Sequence, residues 1–162
     1  ATHNKLADPK RICLYGASFG GYSALIQPVL YPDLYKCAIG YVGVYDLPLM
    51  RKTDVQNGAS KRLKRFFDRT LGTDNQALAA VSPVQRPRDV KVPVLLVHGP
   101  DAKTPDYIQS KPMEAAPRSA GRPAETLVVA GEGHGFVKPE NVAELYRKIE
   151  TFLDKNIGPN AK

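Results

Sequence analysis

A β-prone run, Arg11 to Tyr15, stops at Gly16, and the apolar, helix-like stretch Tyr22 to Leu30 follows almost at once. A strand that becomes a helix within so few residues needs a turn too tight for large side chains on either side of its apex. Gly16, Ala17, Gly20 and Gly21 meet that demand, and they leave Ser18 at the apex of a G-x-S-x-G pattern. The following helix directs its positive end and free N–H groups at that serine, so the Phe19 N–H is placed to donate to a developing oxyanion. Ser18 is therefore the candidate nucleophile.

The rest of the chain alternates in the same way. Lys36 to Val44 reads as a second strand after the turn Tyr31-Pro32-Asp33. Asp46 to Gly72 is less regular and carries a basic helix, and Asp74 caps a short helix through Ala80. Val94 to Val97, bounded by Pro93 and Gly99, reads as a strand buried on both faces. A helical region is expected from Asp106 to Ala120, broken by Pro112 and Pro117. Thr126 to Ala130 is a fourth strand, and Asn141 to Leu153 an amphipathic helix whose start Asn141 and Glu144 are placed to cap. Strands alternating with helices predict an α/β fold, a mostly parallel sheet with helices on both faces.

The chain has 162 residues, 43% of them apolar, enough for one domain with a core. No window approaches the roughly 18 consecutive apolar residues of a membrane span, so a soluble protein without membrane contact is expected, cytoplasmic or periplasmic/secreted. Lys and Arg outnumber Asp and Glu by 23 to 16, with a concentration at Lys61, Arg62, Lys64, Arg65 and Arg69. Leu63, Phe66, Phe67 and Leu71 interleave with those charges at helical spacing, which predicts a solvated basic helix face rather than a nucleic-acid surface. The two cysteines, Cys13 and Cys37, each fall in an apolar run and are expected as buried free thiols, a bridge being geometrically open only if the two runs are neighbouring strands. Neither a zinc site nor any other metal or cofactor is expected.

A serine hydroxyl is a weak nucleophile and needs a base and a group to orient that base. Of three histidines, His3 lies in the leader and His98 ends a buried strand, where a structural role is expected. His134 sits between Gly133 and Gly135, directly after the last strand, where loops at the carboxyl ends of strands gather ligands and catalysis. Asp101 closely follows the strand Val94 to Val97 and is the expected orienting acid. Asp89 precedes that strand at the wrong end, and Asp106, the alternative acid if the loop folds differently, is expected to cap the helix after it. The order Ser18, Asp101, His134 is the α/β-hydrolase order. Tyr22, Tyr41, Val44 and Tyr45 are expected to line the substrate pocket, with Val42 packed in the core.

Three segments together resemble one family: Gly16-Ala17-Ser18-Phe19-Gly20-Gly21-Tyr22, Pro93 to Gly99, and Gly131-Glu132-Gly133-His134-Gly135-Phe136. They are similar to the catalytic domain of prolyl oligopeptidase family serine peptidases, in its acylaminoacyl-peptidase-like and dipeptidyl-peptidase-like branches. The likeness runs from about Asp8 to Ile157. It implies an α/β-hydrolase fold and hydrolysis of peptide or acyl-peptide bonds through an acyl-enzyme on Ser18. It departs from the family at Asp101, which is followed by Ala102 in a loop one residue short. The likeness also implies that residues 1–162 form the C-terminal part of a single catalytic domain. The family's upstream strands, its second oxyanion donor and any β-propeller would then lie in a missing N-terminal part of the same protein. An esterase or thioesterase on this fold, and a catalytically incompetent fragment or interaction domain, are the alternative expectations.

Overall fold

A computed structural model of the chain describes residues 7–56, 60–102, 105–115 and 123–161. Four strands form one sheet in the order β1-β2-β3-β4: β1 Cys13–Ala17, β2 Cys37–Tyr41, β3 Val94–His98 and β4 Glu125–Val128. Every pairing is parallel, with Gly16 beside Gly40 and Tyr41 beside Val97. The α-helices among the described residues are α1 Phe19–Leu30, α2 Leu47–Gln56, α3 Lys61–Thr70, α4 Asn75–Ala80, α5 Ser110–Ala115 and α6 Pro139–Ile157.

The period of two along the buried strands assigns the faces. Ala38, Val94 and Leu96 join Leu25 and Ile26 of α1 and Met113 of α5 in one core cluster. Cys37, Ile39, Leu95 and Val97 join Leu145 and Phe152 of α6 on the other face. Helices therefore cover both faces, as an α/β-hydrolase sheet requires. A third cluster, Val44, Leu47, Met50 and Leu78, packs beneath α2 and α4 and beside Phe19 and Phe67.

Several sequence expectations are refined. β2 ends at Tyr41 rather than Val44, because Val42 turns out of the strand at φ 41°. Cys13 and Cys37 are not free thiols: they are register partners on β1 and β2, and they form a disulfide. Helix α6 begins at Pro139, whose missing N–H costs nothing at a first helical position. Asn141 consequently lies inside the helix instead of capping it, and its side chain serves Glu132. Pro112 lies within the short α5, while Pro117 falls outside the described residues. Asp74 caps α4 as expected, accepting from the Gln76 N–H at 2.8 Å. Ser60 caps α3, and Asp89 is ion-paired with Arg86 at 2.8 Å before β3.

Candidate active site

Gly16 and Gly21 show why the turn after β1 tolerates only small residues. A Cβ on Gly16 would lie 2.0 Å from the Gly20 carbonyl oxygen, and one on Gly21 would lie 2.7 Å from the Cα of Gly43. The backbone closes on itself at the first position and on the β2–α2 loop at the second. Ser18 between them adopts φ 56° and ψ −123°, a conformation that L-residues avoid. Such a residue persists only where its surroundings hold it, at a cost on the order of 1–3 kcal/mol. Here the Ser18 N–H donates to the Tyr41 carbonyl at 2.9 Å, and the Ser18 carbonyl accepts from Gly21 and Val44.

Ser18 occupies the N-cap position of α1, yet its side chain caps nothing. A serine there ordinarily accepts from the second or third helical N–H. The strained backbone turns this hydroxyl elsewhere: Ser18 lines a cavity of about 210 Å³ together with Phe19, Val44, Met50, Leu63, Phe67, Pro105 and His134. Phe19 is the first helical residue, where the N–H has no intrahelical acceptor.

The fold thus brings Ser18, Phe19, Val44 and His134 to one cavity, and leaves other expected residues outside it. Tyr45 is fully buried in the core on the α1 side. Tyr22 packs against two core clusters, and burial raises the pKa of its phenol. Tyr41 meets Phe136 edge to face, and its hydroxyl accepts from the Phe136 N–H, so it supports the histidine loop from below. The physical reason is the early turn at Val42, which sends Tyr45 inward instead of along the strand. Val42, expected in the core, is there.

His134 is exposed and makes no hydrogen bond among the described residues, including to Ser18. Asp101 sits on the same rim, because its N–H donates to the Glu132 carbonyl at 3.0 Å. Its side chain is exposed and unbonded to the imidazole. Asp106 caps the turn Tyr107–Gln109, accepting from the Ile108 N–H at 2.9 Å. His98 is wholly buried, its Nδ1 is 2.9 Å from the Ser110 hydroxyl, and its ring lies against Tyr107. Burial pulls its pKa down to about 4, against the opposing pull of the Pro105 carbonyl and Asp106, so it is a neutral structural group.

Glu132 is a site residue that no sequence pattern singled out. It is 1% exposed, and its carboxylate accepts from the Val137 N–H at 2.8 Å, the Lys138 N–H at 3.1 Å and the Asn141 side-chain amide at 2.7 Å. Burial works to raise its pKa, but these bonds and the Lys138 charge outweigh it and hold the carboxyl below its ordinary value. The carboxylate thereby staples both ends of the segment that displays His134. A charged residue between glycines gives no sign of this, since its partners are two backbone N–H groups at the end of the loop and one side chain in the first turn of α6.

Helix α3 contributes Leu63 and Phe67 to the cavity although it buries no residue completely. Arg51 of α2 fastens it, donating to Asp68 at 2.8 Å and to the Thr73 carbonyl at 3.0 Å. The Lys64 and Arg51 bonds lower the Asp68 pKa, which keeps the clasp charged. Among the described residues no three His, Cys, Asp or Glu side chains gather as metal ligands, and no helix is long and apolar enough to cross a membrane.

Residues 1–160 match the family model described as "Prolyl oligopeptidase family". The chain is 27% identical over 155 residues to a dipeptidyl aminopeptidase BIII of Pseudoxanthomonas mexicana, with 94% of this chain and 22% of that protein covered. It is 26% identical over 162 residues to dipeptidyl peptidase family member 6 of Caenorhabditis elegans, covering 98% of this chain and again 22% of the relative. Among solved structures, a Mycobacterium tuberculosis puromycin-hydrolyzing peptidase superposes with a TM-score of 0.86 at 24% identity, over 99% of this chain and 24% of that one. An acylaminoacyl peptidase of Pyrococcus horikoshii gives a TM-score of 0.78 at 21% identity, over 96% and 26%. The chain therefore spans under a third of the length of these relatives.

Proposed function

The chain belongs to the prolyl oligopeptidase family of serine peptidases, and from that premise we propose that it carries the nucleophile and base of a peptidase acting on peptide or acyl-peptide bonds. The Ser18 hydroxyl attacks the scissile carbonyl carbon and passes its proton to His134, which then protonates the leaving amine. Water, deprotonated by the same imidazole, releases the acyl group and restores Ser18. The Phe19 N–H donates to the oxyanion of both tetrahedral intermediates, and the α1 N-terminus adds its positive end. The observation that carries this reading is the strained, uncapped Ser18 lining one cavity with His134.

Asp101 acts on this reading as an exposed carboxylate on the histidine rim, while the Glu132 staple orients the loop. The walls beside Ser18 are apolar: Phe19, Val44, Met50, Leu63 and Phe67. They suit an uncharged side chain on the residue before the scissile bond. A second oxyanion donor belongs to a part of the protein outside these residues. Losing such a donor costs about 10²–10³ in turnover, so the full-length protein is the form in which activity is to be measured.

The test is fluorophosphonate labelling of the full-length protein, with peptide mapping of the adduct. Modification at Ser18, abolished in Ser18→Ala and slowed in His134→Ala, is the expected result. An adduct elsewhere, or none, refutes the assignment. Turnover of a peptide anilide beside an ester of the same acyl group then separates a peptidase from an esterase.

A further inference from the structure

The loop joining β2 to α2, residues 42–46, lies between the candidate nucleophile and a buried amide that the mechanism does not use. Val42 opens it at φ 41°, which a β-branched side chain adopts only under constraint. Val44, two residues on, lines the cavity and donates its N–H to the Ser18 carbonyl at 3.3 Å. The strained Ser18 is thus braced by a loop that itself opens on a strained residue, and a loop without regular structure must supply the rigidity.

That rigidity comes from Gln109, 64 residues further along the chain from Tyr45 and 1% exposed. Its Oε1 accepts from the Tyr45 N–H at 3.0 Å and from the Asp46 N–H at 2.8 Å, and its Nε2 donates to the Asp46 carbonyl at 3.1 Å. One side chain therefore does for this loop what a neighbouring strand would do, with acceptor and donor both engaged. The anchor is itself fixed. Ser110, the next residue, is bonded to His98 at the end of β3, and Met113 is buried in the core.

We propose that Gln109 is a positioning residue, which fixes Ser18 through Tyr45, Asp46 and Val44 and so keeps the nucleophile and the cavity wall in register. The proposal rests on the reading of Ser18 as nucleophile. A primary amide suits this place because, at any pH, it accepts two N–H groups and donates to a carbonyl at once. Glutamate of the same shape keeps the acceptor and loses the donor until it is protonated.

Gln109→Leu and Gln109→Glu in the full-length protein are compared with wild type. The measurements are the rate of fluorophosphonate labelling at Ser18, kcat and KM on a peptide anilide, and amide hydrogen exchange of residues 42–46. Expected for Gln109→Leu are labelling slower by about tenfold or more, a fall in kcat that exceeds the change in KM, and faster exchange at Val44, Tyr45 and Asp46. Gln109→Glu should recover towards the wild-type labelling rate as the pH is lowered and its carboxyl regains a donor. A wild-type rate in Gln109→Leu despite faster loop exchange overturns the positioning role. Should Gln109→Leu not fold, a Gln109→Glu rate equal to wild type across the pH series overturns it instead. Wild-type protein left unlabelled at Ser18 overturns the nucleophile and this proposal with it, which distinguishes the two failures.

Discussion

Asn141 in the first turn of α6 donates to the Glu132 carboxylate at 2.7 Å, fastening the helix to the loop that displays His134. The histidine itself has no hydrogen bond among the described residues, so its position depends on this neighbour two residues earlier. Replacing Glu132 by Gln keeps the shape but presents an NH₂ to N–H groups that need an acceptor. The expected result is a fall in kcat of about tenfold or more with a smaller change in KM, because the proposed base His134 is displaced and the apolar cavity walls are not. Steady-state kinetics with an apolar peptide anilide reads the split.

Asp101 is expected to matter less than its place in the α/β-hydrolase order suggests. Removing an acid that is hydrogen-bonded to the catalytic histidine costs about 10⁴ in kcat. Asp101 is exposed and unbonded to the imidazole, so Asp101→Asn should lower kcat by no more than about tenfold. A loss approaching that of His134→Ala would mean that the carboxylate closes on the ring during turnover.

The apolar wall contributed by α3 makes a prediction about selectivity. Phe67→Ala should lower kcat/KM for substrates with a leucine-sized residue before the scissile bond by about tenfold, and should favour larger aromatic residues there. Arg51→Met unfastens the same helix from α2 and from the Thr73 carbonyl, and should raise KM while kcat changes little. A substrate panel against both variants checks the pair.

Acid should destabilise the fold in two separable stages. His98 has its pKa lowered from 6.5 to about 4 by burial, so between those values the unfolded chain binds a proton that the folded chain refuses. Stability from this source is complete above pH 6.5 and falls with decreasing pH by at most about 1.4 kcal/mol per unit, until about pH 4. Glu132 and Glu125 are lowered from 4.5, so their contributions are present above that value and are lost only below it. Urea unfolding at a series of pH values should therefore show a slope between pH 6.5 and 4.5 that is reduced in His98→Gln.

Much of the site's local geometry was legible in the sequence because short-range sterics impose it. Glycines at 16, 20 and 21 around Ser18 admit few arrangements other than a sharp strand-to-helix turn, and the unbroken apolar run Val94 to Val97 reveals a strand buried on both faces. The same local reading placed His134 on a loop after the last strand. It missed the boundary of β2, since nothing in Tyr41-Val42-Gly43-Val44-Tyr45 announces that a valine will take positive φ. That turn carries Tyr45, expected along the pocket, into the core instead.

By itself, then, the sequence determined the order of strands and helices, the serine turn and the histidine loop, because each follows from the sizes and spacing of adjacent residues. Only the tertiary structure decided which distant groups meet. Cys13 bonds to Cys37 because parallel strands bring them into register, and Phe67 faces Ser18 because Arg51 clasps α3. Gln109 holds the loop beside Ser18 and Glu132 holds the loop of His134 through hydrogen bonds whose partners are fixed by packing. Such bonds are directional and span turns or whole elements, and a pattern of residue types along one chain records neither direction nor distance.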